Sequence, residues 1–130
     1  MAKLVLRPRH RVMCGDSTSA QDVEHLMGGD AAVLLFTSPP YAQQRDYGVA
    51  KEKVSDWDAL MRCVFGAAIV TPDAQILVNL GLVHRANEWT PYWETWIEWM
   101  RQQGWRRFGW YVWDQGPGLP GDWNGRLAPS

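Results

Sequence analysis

The order of elements along this chain predicts an α/β fold: an open, doubly wound, mostly parallel sheet with helices on both faces, formed by residues 1–130 as a single partial domain. Three observations predict it. Ala31 to Tyr41, A-A-V-L-L-F-T-S-P-P-Y, is a continuous apolar run that stops abruptly at two prolines. About six apolar residues without alternation are the pattern of a strand covered on both faces, as in a parallel sheet. Segments of helical spacing alternate with such runs, which is how parallel strands are connected. The last strand-like segment has no successor, so the sheet is expected to stop before it is complete.

Lys3 to Leu6 and Arg11 to Cys14 are short β-compatible pieces separated by Arg7-Pro8-Arg9, and Gly15-Asp16-Ser17 then turns the chain. Ser19 and Asp22 fit a capping box, with Val23, Leu26 and Met27 following at helical spacing and Gly28-Gly29 as the stop. The strand Ala31 to Phe36 comes next. Ala42 to Lys53 is polar and aperiodic, a surface loop beside the strand end. Ser55 and Asp58 form a second capping box, and Trp57, Leu60, Met61, Val64, Phe65 and Ala68 trace one helical face. That helix is expected to end before Thr71-Pro72, with Gln75 to Leu80 a further buried strand closed by Gly81. Thr90 as cap and Pro91 at the first helical position open a third helix, whose stripe is Trp93, Trp96, Ile97 and Met100 and whose terminator is Gly104. Trp105 to Trp113 reads as an aromatic strand. Gly116 to Gly121 reads as a turn-rich loop, and no further element is expected in Asp122 to Ser130.

A formal net charge of −1 gives the chain no global field toward nucleic acid, so any DNA contact must come from local patches. The candidates are Arg7, Arg9, His10 and Arg11, and then Arg101, Arg106 and Arg107. Most of the nine tryptophans fall between Trp89 and Trp123. Cys14 and Cys63 make no C-x-x-C and are expected as reduced, buried thiols. No metal spacing joins His10, His25 and His84. No signal segment or membrane-length apolar run is present, which predicts a soluble, cytoplasmic protein. Gly116-x-Gly118-x-x-Gly121 matches a dinucleotide fingerprint only formally, because Pro117 and Pro120 lack the N–H groups and no helix opens after it.

Ser38-Pro39-Pro40-Tyr41 stands at the carboxyl end of a strand, where open α/β sheets bind ligands. The quartet resembles the [DNS]-P-P-[YFW] motif of amino-group DNA methyltransferases, which methylate adenine N6 or cytosine N4 with S-adenosylmethionine. An exocyclic amine is a poor nucleophile because its lone pair is delocalised into the ring, so the site must accept hydrogen bonds from its N–H groups. The resemblance gives that task to Ser38 Oγ and the Pro39 carbonyl, which the rigid turn through Pro40 points outward. It makes Tyr41 the platform on which a base taken out of the duplex stacks.

The resemblance extends along nearly the whole chain. Val12 to Ser17 looks like the segment in which an acidic residue, here Asp16, reaches the adenine of the cofactor, with Thr37 and Ser38 beside it. Ile76 to Leu80 and the Trp-rich helix follow the family's order. The run from Trp110 to Gly118 is similar to the strand and loop that wall the target-base pocket, which assigns Trp113, Asp114, Gly116 and Gly118 to substrate binding. The resemblance further implies a circularly permuted arrangement in which the catalytic half comes first. The cofactor half, with its F-x-G-x-G loop, and the target-recognition region are then expected outside this chain, the cofactor half on a separate polypeptide. The implied function is site-specific DNA methylation as in restriction-modification systems, inactive in this chain alone, with Ser38 tilting the target toward cytosine N4. Protein glutamine and RNA methyltransferases also use a P-P-Y loop, but their cofactor loop comes first and residues 1–36 leave no room for it. The alternative of another class is a non-catalytic nucleic-acid-binding or partner-binding remnant that uses its aromatic surface.

Overall fold

The structure, a computed structural model, describes residues 3–7, 10–40, 54–85 and 88–113. They form a small α/β protein with a short parallel sheet and three helices. In chain order the elements are β1 (Lys3–Arg7), β2 (His10–Cys14), α1 (Ala20–Met27), β3 (Ala32–Thr37), α2 (Val54–Ala67), β4 (Val70–Val78), β5 (Val83–Arg85), β6 (Glu88–Thr90) and α3 (Glu94–Gln102). The strands pair two by two, β1–β2 and β5–β6 antiparallel and β3–β4 parallel.

Local chemistry sets the helix ends. Ser19 is extended and its Oγ accepts the Asp22 N–H at 3.3 Å, while Gly28 adopts the left-handed conformation (φ 55°) that ends α1. Only half of the expected capping box forms, because the Asp22 carboxylate reaches past Ser19 to the Asp16 N–H at 2.8 Å. Arg11 closes the other end of α1, donating to the Leu26 and Met27 carbonyls and pairing with Asp30 at 2.7 Å. α2 begins at Val54, so Ser55 lies inside the helix rather than capping it. Asp58, expected in that capping box, instead pairs with Arg62 at 2.6 Å and accepts from Thr95 Oγ1 at 2.9 Å, tying α2 to α3.

β4 starts at Val70, earlier than expected, and runs through Pro72. It can do so because the register shifts there: Ala32 faces Val70, yet Leu34 already faces Gln75, so Pro72 falls in the irregular stretch and owes no ladder bond. The β5–β6 hairpin was not anticipated. Its closing pair Val83–Thr90 makes Thr90 the end of a strand, and α3 starts only after a turn through Pro91, Tyr92 and Trp93. The far end of α3 follows expectation. Gly104 has φ 95°, its N–H bonds the Arg101 carbonyl at 3.0 Å, and the Trp105 N–H bonds the Met100 carbonyl at 3.1 Å. This doubly bonded terminator brings Trp105 back onto the core beside Met100.

The core is Trp57, Met61 and Phe65 of α2, Trp96 and Met100 of α3, and Val83, Tyr92 and Trp93 between the sheet and α3. Leu35, Ile76 and Val78 pack against it from one face of β3–β4. The other face is exposed: Leu34, Phe36 and Leu77 are 49, 66 and 43% accessible. The run read as covered on both faces is therefore covered on one. Trp105 to Trp113 is not a strand. Among the described residues it makes no ladder, and Phe108, Trp110, Tyr111, Val112 and Trp113 are exposed. Both cysteines are also exposed, contrary to expectation. Cys63 points away from the Trp57–Met61–Phe65 stripe, and Cys14 ends the two-stranded β1–β2 sheet. No described helix is long and apolar enough to cross a membrane.

Candidate functional site

β3 delivers its terminal residues to the carboxyl end of the parallel pair. The Thr37 carbonyl accepts the Asn79 N–H at 2.9 Å, one step past the last residue of β4, and the chain then leaves the sheet. Ser38 is exposed, Pro39 buried and Pro40 half-buried, so the first motif residue faces outward and the prolines anchor it.

The anchor is Trp57. Its Nε1–H donates to the Pro40 carbonyl at 2.7 Å, and its indole is fully buried. The ring meets Tyr92 edge-on with centroids 4.8 Å apart and Trp96 edge-on at 6.1 Å. Tyr92 in turn donates its hydroxyl to the Gly81 carbonyl at 2.9 Å, in the segment that follows β4. One indole and one phenol thus pin the exits of both parallel strands to the same core. Sequence reasoning placed Trp57 only on the core stripe of α2 and missed this role. The available signal was physical: a buried tryptophan needs a partner for its N–H, and Trp57 opens the helix that follows the loop.

Asp16 follows the end of β2 and is exposed. Its Oδ1 accepts from the Thr18 N–H at 2.8 Å and from Thr18 Oγ1 at 2.7 Å. These bonds, the backbone one first, favour the carboxylate and hold its pKa below the ordinary value. Asp16 is thus a pre-oriented anionic acceptor, of the kind to which a ribose hydroxyl or an adenine amine can donate. Among the described residues, however, the preceding strand β2 pairs only with β1, and the β1–β2 sheet is separate from the β3–β4 sheet.

The structure therefore brings Thr37, Ser38, Pro39 and Pro40 together with Trp57, and places Asp16 in the turn after a strand of another sheet. Trp113 is 65% accessible, on an exposed segment. Tyr41, Asp114, Gly116 and Gly118, like the loops at 42–53 and 116–121, lie outside the described residues. Of the arginines considered for DNA contact, Arg11 is engaged at the end of α1 and Arg101 pairs with Glu98 at 3.0 Å. His10 and His25 are exposed, and His84 lies in β5. Among the described residues no group of three acidic, His or Cys side chains could hold a metal ion. No family model, curated protein or solved structure matches this chain.

Proposed function

We infer that the chain is the catalytic, base-pocket half of an S-adenosylmethionine-dependent DNA amino-methyltransferase, with cytosine N4 favoured over adenine N6 as target. The observation that supports this reading most is the placement of Ser38-Pro39-Pro40 at the carboxyl end of a parallel strand pair, fixed there by the Trp57 bond to the Pro40 carbonyl. In this reading Ser38 Oγ and the Pro39 carbonyl accept the N–H groups of the target amine, and Tyr41 stacks on the extruded base, offsetting a few kcal/mol of unstacking. S-adenosylmethionine supplies an electrophilic methyl group, and Asp16, held ionised by Thr18, fits as an acceptor toward its nucleoside. A second polypeptide carrying the rest of a doubly wound Rossmann-like sheet completes the cofactor site, and DNA presents the target base. The bare Leu34–Phe36–Leu77 face supports that partner, because parallel sheets are normally covered on both sides.

The test is an NMR titration of the chain with S-adenosylmethionine alongside a tritium-transfer assay on DNA. Weak binding that shifts the resonances of residues 15–18 and 37–40 and is lost in Asp16→Ala, without turnover, is the expected result. Shifts confined elsewhere would reject the assignment, and robust methylation by the chain alone, lost in Tyr41→Ala, would reject the half-enzyme reading.

A further inference from the structure

The aromatic segment after α3 is where the structure departs most from expectation, and its exposed side chains are of two kinds. Residues 101–113, R-Q-Q-G-W-R-R-F-G-W-Y-V-W, hold three arginines and no acid. Arg101 is paired with Glu98, but Arg106 and Arg107 are exposed and make no ion pair among the described residues. Beside them Phe108 is 93% and Trp110 70% accessible.

Trp110 is nevertheless held in place. Its indole meets Trp93 at a tilt of 53° with centroids 5.8 Å apart, and Trp93 is itself core. The Tyr111 ring lies against Gly109, where a Cβ would come within 2.8 Å of it, so a larger residue there would push the exposed Tyr111 ring aside. A ring steadied by a core neighbour and open elsewhere costs less ordering than a free one when something stacks on it.

We propose that this segment binds single-stranded nucleic acid, a base stacking on Trp110 while Arg106 and Arg107 take the adjoining phosphates. Base-on-aromatic stacking beside cationic side chains is the general physics of strand binding without sequence preference. Charge complementarity selects this occupant. A second copy of the chain would bring Arg106 and Arg107 against the same two cations, and a segment of this composition binds a bilayer surface as an amphipathic helix, whereas 105–113 forms no helix. The proposal does not depend on methyl transfer: it needs no cofactor and no residue of the 37–41 loop.

The experiment is fluorescence anisotropy of a labelled oligothymidylate of about 20 nucleotides, longer than the roughly 4–16 such sites span, titrated with the full chain at low salt without S-adenosylmethionine. Trp110→Ala is expected to weaken binding between about 5-fold and 150-fold, and Trp110→Phe to recover part of the loss. Arg106→Glu with Arg107→Glu should weaken it further and lower the slope of log K against log salt by about 1.4, two phosphates' worth on a single strand. Unchanged affinity in a folded Trp110→Ala variant overturns the proposal. So does duplex bound as tightly as the single strand, or capture by phosphatidylglycerol vesicles in place of the oligonucleotide. Should Trp110→Ala misfold, the double arginine variant decides alone, since both side chains stand clear of the packing; no loss of affinity there is a refutation.

Discussion

Trp57 and Trp96 are neighbouring core indoles that differ in one respect. The N–H of Trp57 meets the Pro40 carbonyl, whereas the buried N–H of Trp96 has no partner among the described residues. Replacing either with Phe removes similar volume, but only Trp57→Phe strands a carbonyl in a part-buried turn. Trp57→Phe is therefore expected to cost about 1–2 kcal/mol more than Trp96→Phe in urea unfolding, the difference being the lost bond and the desolvated acceptor. Equal costs would mean that the bond does not hold the loop. At this scale the sequence was legible where residue type forces geometry: the prolines at 39 and 40 end β3, and Gly28 and Gly104 stop helices with positive φ. The partner of an indole N–H is not a property of its neighbours in sequence, so the Trp57 anchor was out of reach.

Between β2 and α1 the turn is built on two carboxylates. Asp16 accepts twice from Thr18, and Asp22 reaches back from the first turn of α1 to the Asp16 N–H. Since the folded-state pKa of Asp16 lies below its unfolded value, its contribution is fully present above the unfolded pKa, near pH 4, and is lost as pH falls through the folded one. Urea midpoints of the wild type and Asp16→Asn should accordingly differ at pH 6 and converge below about pH 4; a constant difference would show that Asp16 acts without its charge. Helix α1 was read from its cap and stripe nearly to the residue, and α3 at its carboxyl end, because those signals are local. The short strands were not. Pro72 hid the start of β4, since a proline is admissible only where a register shift relieves it of a ladder bond, and the three-residue strands β5 and β6 are too brief to show a period.

For the molecule as a whole, the asymmetry of the β3–β4 sheet governs the expectations. Leu35 and Ile76 face the aromatic core, while Phe36 and Leu77, their neighbours one residue on, face outward. Leu35→Ala and Ile76→Ala should each destabilise the chain by about 2 kcal/mol or more. Phe36→Ser and Leu77→Ser should stay within about 0.5 kcal/mol of the wild type and reduce its tendency to associate. If the serine variants are as damaging as the alanine ones, the outward face is covered in solution and the sheet is more complete than its described strands.

By itself the sequence determined the α/β class, the helices and their stripes, and the strand that ends at Ser38-Pro39-Pro40, because periodicity, capping and proline chemistry act over a few residues. Only the tertiary structure decided which face of the sheet is covered, that both cysteines are exposed, that 105–113 lies open rather than paired, and that Trp57 and Tyr92 hold the ends of the parallel strands. Apolar composition says that a residue would gain by burial. Whether another element is present to bury it is settled by contacts between residues far apart in the chain.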